Sequence, residues 1–145
     1  MVNVNIGLIE FNSELYIESV ALRQDVLRTP LGLKFTKENM TNDANEMHIA
    51  ATDGDQLIGV LLLRPLTNHT VKMRQVAVSE AYQGKGVGKQ LVAFCESLCT
   101  SMGFKQIELN AREVALQFYL SQSYEQIGEQ FLEIGIPHFK MIKNL

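Results

Sequence analysis

Apolar residues recur along the chain with different periods, and each period predicts an element. Alternation at the start predicts a strand over Val2 to Leu8, and helical spacing then predicts a helix from Ser13 to Leu27 that Pro30 ends. The segment Leu31 to Asn45 is polar and irregular apart from a short helix expected around Thr36. Because long loops in compact domains often carry function, this segment is a candidate lid.

Two strands joined by a tight turn should follow. They are expected over Met47 to Thr52 and Gln56 to Leu63, and Pro65 ends the second strand. Between them, Asp53-Gly54-Asp55 contains the Asp-Gly dipeptide that is typical of hairpin turns.

The next predicted strand, Val71 to Val78, changes phase halfway along. Its apolar residues occupy odd positions at the start and even positions from Val76 onward. Since side chains alternate strictly across a strand, one extra residue near Arg74-Gln75, a β-bulge, would produce this change. A strand buried on both faces would produce it as well, and the pattern leaves both interpretations open.

The second half of the chain begins with a well-marked helix, predicted from Val87 to Met102, with Gly103 as its stop. Cys95 and Cys99 lie on its apolar face, where we expect buried thiols. The remaining elements are expected to be a strand over Ile107 to Ala111, a short helix with Val114, Ala115, Phe118 and Tyr119 on one face, and strands Tyr124 to Ile134 and His138 to Ile142 around a turn at Gly135-Ile136-Pro137.

Composition limits the class of protein. Of the 145 residues 46% are hydrophobic and 20% charged, the net charge is −3 and the mean hydropathy is +0.01. These values exclude intrinsic disorder, and no apolar run approaches the roughly 20 residues that span a bilayer. The pI near 5.6 argues against a broad nucleic-acid surface. We expect one domain over residues 1–145 in the cytoplasm, since the start lacks the pattern of a secretory signal.

A metal site is not expected. Two cysteines in a chain of this length do not form a disulfide framework, and metal binding would need further ligands at workable spacing. His48, His69 and His138 are isolated from the cysteines and from one another.

A glycine-rich loop precedes the well-marked helix. It consists of Gln83, Gly84, Lys85, Gly86, Val87, Gly88 and Lys89. Glycine allows the backbone to approach a ligand closely, and the unpaired N–H groups of a helix start favour an anion. The two lysines add positive charge, so we predict a diphosphate site. A turn that only caps the helix is the alternative.

Two common nucleotide motifs do not fit this loop. A P-loop has four residues between its glycines, but three separate Gly84 from Gly88, and Gln90 has no magnesium-binding hydroxyl. The dinucleotide fingerprint needs a glycine where Lys89 stands, and Glu108 lies in mid-strand, where it does not suit a ribose.

The loop residues Gln83, Gly86 and Gly88 resemble the Gln/Arg-x-x-Gly-x-Gly/Ala motif of the GNAT superfamily of acyl-coenzyme A dependent N-acetyltransferases. The segment Met73 to Val78 resembles the central strand of that family, and Ala115 to Tyr124 resembles a second family segment, with Ser123 in place of the usual glycine. The tail Gly128 to His138, together with Leu22-Arg23, resembles the ElaA-like branch.

This resemblance implies the fold and the cosubstrate. The fold would be α/β (α+β), a mixed, mostly antiparallel sheet with a splayed central strand and helices on both faces. The pantetheine arm of acetyl-coenzyme A would lie in the splay and its pyrophosphate on the glycine loop. The implied coenzyme-binding residues are Val76, Ala77, Val78, the loop Gln83 to Lys89, Arg112 and Phe118. Arg112 stands where many relatives have asparagine, so a phosphate contact, a substrate carboxylate contact and a surface charge all stay open.

The implied reaction is direct attack of a neutral amine on the acetyl carbonyl. Tyr119 matches the family's tyrosine that protonates the leaving thiolate, a role that suits a phenol. The general base is open among Glu46, His48, Glu133 and His138, of which His138 is preferred. Arg23 is a candidate for an anionic substrate group, with a solvated arginine as the alternative.

The predicted partner is a small-molecule or peptide amine, and neither nucleic acid nor membrane is expected. A homodimer formed through exposed strand edges stays open. A non-catalytic sensor of acyl-coenzyme A is the alternative function, although the presence of Tyr119 favours an enzyme.

Overall fold

The computed structural model describes residues 3–36 and 40–145, and their strands form one seven-stranded sheet. Its order is β1-β2-β3-β4-β5-β7-β6, and every neighbouring pair is antiparallel except β4 with β5. The strands are β1 Val4–Ile9, β2 Met47–Asp53, β3 Gln56–Pro65, β4 Thr70–Val78, β5 Gln106–Arg112, β6 Glu125–Glu133 and β7 Ile136–Asn144. The expected mixed, mostly antiparallel sheet is confirmed.

Within these residues the α-helices are α1 Glu14–Arg23, α2 Val87–Ser101 and α3 Leu116–Ser121. Ser13 caps α1, because its Oγ accepts a hydrogen bond from the Tyr16 backbone N–H at 3.2 Å. The helix continues through a π-helical turn, Gln24–Arg28, and a 3₁₀ turn, Thr29–Leu31. Further 3₁₀ turns lie at Asp43–Asn45, Glu80–Tyr82 and Glu113–Ala115. None of the described helices is long and apolar enough to cross a membrane.

The predicted elements agree with the structure apart from some ends and local turns. Val2 lies outside the described residues, and so do residues 37–39 of the candidate lid; residues 33–36 form no helix. Val114 is exposed in a 3₁₀ turn rather than on an apolar helix face. The last turn is also different, because β7 already begins at Ile136. Ile134 and Gly135 both have positive φ, 47° and 75°, which makes them the two central residues of a tight hairpin.

The sheet is covered on both faces. On one face α2 buries Val87, Leu91 and Cys95 in the main core cluster, and Cys99 joins them. Cys95 and Cys99 are free buried thiols, as expected. On the other face, which we call the α1 face, residues of α1 and of the turn after it pack against a second cluster: Leu22, Val26 and Leu27 against Val60, Leu62 and Ala77.

A bulge interrupts β4 at Gln75. On β3, one residue separates Val60 from Leu62, whereas on β4 two residues separate their partners Ala77 and Arg74. Gln75 has φ +56°, a left-handed conformation that costs a residue with a side chain about 1–2 kcal/mol. The bulge interpretation of the phase change is therefore confirmed.

β4 and β5 pair over three residues only, from Thr70↔Gln106 to Lys72↔Glu108. Beyond this point β4 follows β3 to Val78, while β5 follows β7 to Arg112. The bulge lies just beyond the last pair, so the two strands separate where β4 bends. The expected splayed central strand is thereby confirmed.

Gly59 on β3 allows α2 to lie close to the sheet. A Cβ atom at this position would be 2.8 Å from Leu91 Cδ1, which is fully buried and has little room to move. We expect Gly59→Ala to lower the free energy of unfolding by about 1–3 kcal/mol in urea denaturation, because it overpacks the core. Gly7→Ala on β1 is the control, since no described atom lies within 4 Å of the added Cβ. Equal stabilities of the two variants would contradict this account of the packing.

Candidate active site

A cavity of about 320 Å³ lies between β4 and β5 where the strands separate. Residues 72–76 of β4 form one wall and residues 109–112 of β5 form the other. The rest of the lining comes from Leu27 and Arg28 after α1, from Ala115 and Tyr119 near α3, and from Glu133, Ile134 and His138 of the last hairpin. Distant segments of the chain thus meet at the splay.

The lining of this cavity divides into an apolar part and a polar part. Met73, Val76, Leu109, Ala111, Ala115 and Tyr119 belong to the core cluster under α2. The polar side chains are Arg28, Lys72, Arg74, Gln75, Asn110, Arg112, Glu133 and His138. Arg112 and His138 are direct partners across β5 and β7, so both side chains lie on the same face of the sheet.

Tyr119 forms part of the apolar lining. It is only 7% exposed, and its ring makes edge contacts with Phe118 and Tyr124 at centroid distances of 5.1 and 5.7 Å. Burial raises the pKa of Tyr119 well above its usual value near 10. The phenol therefore stays protonated near neutral pH and is able to donate a proton.

His138 and Glu133 form a pair in the polar lining, with 3.3 Å between His138 Nε2 and Glu133 Oε2. His138 Nδ1 lies 2.9 Å from the Ile136 carbonyl oxygen, which can only accept, so Nδ1 carries a hydrogen. In the neutral imidazole, Nε2, which faces Glu133, is then the nitrogen that can accept a proton. Asn110 Nδ2 donates to the other carboxylate oxygen of Glu133 at 3.3 Å. This pair is suited to holding an ammonium group and removing its proton.

The glycine-rich loop has the backbone that its sequence predicts. Gly84 and Gly86 have φ of 75° and 83°, and Gly86 is the N-cap of α2. Gln83 Nε2 donates to the Val78 carbonyl at 2.9 Å, which ties the loop to the end of β4. A Cβ on Gly88 would be 3.7 Å from Phe118 Cζ, so the loop and α3 are in contact. The exposed N–H groups of the α2 start are suited to a phosphate.

The chain matches a protein-family model over almost its whole length. Residues 6–145 match the model described as an acetyltransferase (GNAT) domain. The chain belongs to the GNAT acetyltransferases. Membership in this family makes the chain an N-acetyltransferase, the activity that its relatives' names also carry.

Several relatives of this GNAT chain have solved structures. It is 29% identical to Escherichia coli ElaA over 74% of this chain and 71% of ElaA, and the ElaA crystal structure has a TM-score of 0.82 over 99% of both chains. A putative N-acetyltransferase from Lactobacillus plantarum is 26% identical, with a TM-score of 0.84 over 97% of this chain and 98% of that one. The resemblance to ElaA is thereby confirmed.

The fold is shared with more distant GNAT proteins as well. A GNAT family acetyltransferase from Elizabethkingia anophelis, solved with acetyl-CoA bound, has a TM-score of 0.76 at 18% identity and covers 99% of both chains.

The structure places the remaining expected coenzyme residues of this GNAT chain. The Ala77 side chain is buried against the α1 face, so only its backbone is available to a ligand. Val76 and Val78 are half-buried and lie beyond the last residue of β4 that pairs with β5. Arg112 lines the cavity, and its Nη2 donates to the Leu27 carbonyl at 2.7 Å. The interpretation of Arg112 as a surface charge is therefore wrong.

Arg23 lies elsewhere than expected. Its side chain is fully buried, and Nη1 lies 2.9 Å from Asp43 Oδ2. Its Nε donates to Gln75 Oε1 at 3.3 Å, and the Tyr16 hydroxyl donates to Asp43 at 2.8 Å. A buried charge is costly unless it is paired in this way. Both the substrate contact and the solvated arginine are thus wrong: Arg23 holds the bulge residue in place.

Glu46 and His48 are not in the cavity lining either. Glu46 accepts hydrogen bonds from Arg64 and from Arg74, and so fixes the arginine just before the bulge. His48 is 1% exposed, and its Nε2 lies 2.7 Å from the Asp43 carbonyl oxygen. The prediction that His48 acts at the substrate is therefore wrong, because its side chain is buried outside the cavity and contacts the Asp43 backbone. Of the four base candidates, the structure brings only Glu133 and His138 to the cavity.

Sequence reasoning missed five polar side chains of the lining: Arg28, Lys72, Arg74, Gln75 and Asn110. The predicted bulge at Arg74-Gln75 could have drawn attention to Arg74. Asn110 follows from the alternation of β5, because it precedes Arg112 by two residues on the same face. No sequence pattern indicated Arg28, because it lies in a π-helical turn, whose side chains do not follow the spacing of a regular α-helix.

Proposed function

We propose that this acetyltransferase transfers the acetyl group of acetyl-coenzyme A to a primary amine of a small molecule or peptide. One observation carries the proposal: a proton donor, Tyr119, and a proton acceptor, the His138–Glu133 pair, line the same cavity. When an amine reacts directly with a thioester, the ammonium group must lose a proton and the leaving sulfur must gain one, and these two groups can carry out the two proton transfers.

The cosubstrate would enter from the glycine-rich loop. The backbone of β4 beyond Lys72 is not paired with β5, so groups of Val76 and Val78 are placed to bond the pantetheine amides. An N–H near Val76 would polarise the thioester carbonyl. The loop Gln83 to Lys89 would hold the pyrophosphate at the start of α2. The acetyl-CoA bound to the Elizabethkingia anophelis protein of the same fold supports this assignment.

The chemistry then follows from the two groups in the cavity. His138 Nε2, aided by Glu133, takes a proton from the substrate ammonium, and the neutral amine attacks the acetyl carbon. The C–N bond forms, the nitrogen loses its second proton to water, the C–S bond breaks, and the sulfur leaves as a thiolate. Tyr119 gives its proton to this sulfur, and the raised pKa of the phenol keeps that proton available. The contacts of Val76 to Val78 and of Arg112 with the cosubstrate or the acceptor are part of this proposal.

Acetyl-coenzyme A is expected to raise the melting temperature of the protein, since a ligand that binds only the folded state stabilises it. Thiol release should then be measured with a panel of primary amines and peptides, using alcohols of the same skeleton as controls. Turnover confined to amines supports the proposal. Stabilisation without thiol release for any amine would instead identify a sensor of acyl-coenzyme A, and no stabilisation would leave the glycine loop as a helix cap.

Tyr119→Phe removes the proposed proton donor. We expect kcat to fall about a hundredfold while the Kd for acetyl-coenzyme A, measured by calorimetry, stays unchanged. Tyr124→Phe is the matched control: it removes a hydroxyl that donates to Glu96 at 2.9 Å and does not line the cavity. Equal kcat values for the two variants would remove Tyr119 from the mechanism.

His138→Ala removes the proposed base. For amines that are protonated at the assay pH we expect kcat/KM to fall about a hundredfold. For amines whose pKa lies below the assay pH the loss should be much smaller, because these amines are already neutral. The exposed His69, replaced by alanine, is the control. A loss that does not depend on the pKa of the amine would show that His138 is not the base.

A cytoplasmic location, a homodimer and the assignment of residues 1–145 to one acetyltransferase domain stay predictions from the sequence.

A further inference from the structure

Two guanidinium groups meet at one point of the cavity lining. Arg112 Nη2 lies 2.7 Å from the Leu27 carbonyl oxygen, and Arg28 Nη1 lies 3.3 Å from the same oxygen. Both arginines are half-buried. The Arg28 guanidinium lies over the ring of Phe35, 4.4 Å from its centroid, which fixes the guanidinium plane.

These two arginines differ from the other three in the chain. Arg23 is paired with Asp43, and Arg64 and Arg74 are paired with Glu46. Among residues 3–36 and 40–145, no carboxylate lies within ion-pair distance of Arg28 or Arg112. Burial, followed by the positive charge of Arg112, lowers the pKa of Arg28. Two like charges thus converge in the cavity without a direct ion pair to a carboxylate of the described residues, although Glu133 of the same lining attracts both from a longer distance.

The acidic residue of the cavity, Glu133, attracts both arginines but forms a direct ion pair with neither. Its two oxygens lie instead 3.3 Å from Asn110 Nδ2 and 3.3 Å from His138 Nε2. A guanidinium has five N–H donors, and the single bond that each arginine makes to Leu27 leaves donors for a ligand. Carboxylates fit this donor geometry.

The cosubstrate pyrophosphate is not the anion that fits here. Arg28 follows α1 and therefore belongs to the α1 face, whereas the glycine-rich loop begins α2, which packs on the opposite face. No residue of Gln83 to Lys89 lines the cavity. The two positive sites therefore belong to different ligands.

We propose that the acceptor is a small aminocarboxylate whose carboxylate is bound by Arg28 and Arg112. This inference rests on the proposed acetyl transfer. Arg112 and His138 are direct partners across β5 and β7, so their side chains start from neighbouring positions on one face of the sheet. The amine subsite and the carboxylate subsite therefore lie in the same cavity, and we expect a small acceptor.

The test compares aminocarboxylates with their carboxamides: glycine with glycinamide, β-alanine with β-alaninamide, and 4-aminobutyrate with 4-aminobutyramide. For the best chain length we expect kcat/KM to be at least about tenfold higher for the acid. Arg28→Gln and Arg112→Gln should each raise KM for the acid about ten- to a hundredfold and raise KM for the amide much less. Lys105→Gln removes the same charge at an exposed position outside the cavity and is the control.

The outcomes separate this inference from the proposed function. Turnover of amides equal to or above that of acids would overturn the inference and keep the acetyl transfer. An increase in the Kd for acetyl-coenzyme A in Arg112→Gln would also overturn it, because the arginine would then serve the cosubstrate.

If no amine is acetylated, the proposed function fails. Calorimetry with the N-acetylated acids and amides then tests the anion site at Arg28 and Arg112 independently of turnover. Tighter binding of the acids, lost in both arginine variants, supports the site; equal binding of acids and amides overturns it.

Discussion

The end of hydrogen bonding between β4 and β5 is the constraint on which the cavity depends. A parallel pair that continued to Val78 would bond every backbone group of the two facing edges and close the gap between them. The bulge at Gln75 prevents this, because it turns β4 away just beyond its last pair with β5. One strand edge is thereby left with backbone groups that need another partner.

A buried charge network holds this irregular backbone in place. Gln75 is strained by its positive φ, and its side chain accepts from Arg23, which is in turn paired with Asp43. Tyr16 donates to the same carboxylate. Burial, together with the Asp43 carboxylate, raises the pKa of Tyr16 to about 12, so this donor keeps its proton. The segment before β2 therefore shares its anchor with the bulge, because Arg23 contacts both Asp43 and Gln75.

The sequence allowed the parts that depend on local pattern to be predicted. The phase change in β4 predicted the bulge, and the glycines of the loop before α2 predicted its unusual backbone, which Gly84 and Gly86 adopt with positive φ. The partner of Arg23 could not be predicted, because Asp43 lies 20 residues away and only the fold brings the two together. The last hairpin turn was misplaced, since nothing in its sequence shows that Ile134 would adopt a left-handed conformation.

The two irregular elements beside the cavity have the same origin. A π-helical turn and a β-bulge each correspond to one residue inserted into a regular element, one after α1 and one in β4. A helix turns by about 100° per residue and a strand by about 180°. Deletion of a single codon in either element would thus point Arg28 or Arg74 in another direction while the sheet order stayed the same. The directions of the side chains that line the cavity therefore depend on the lengths of these two elements as well as on their residues.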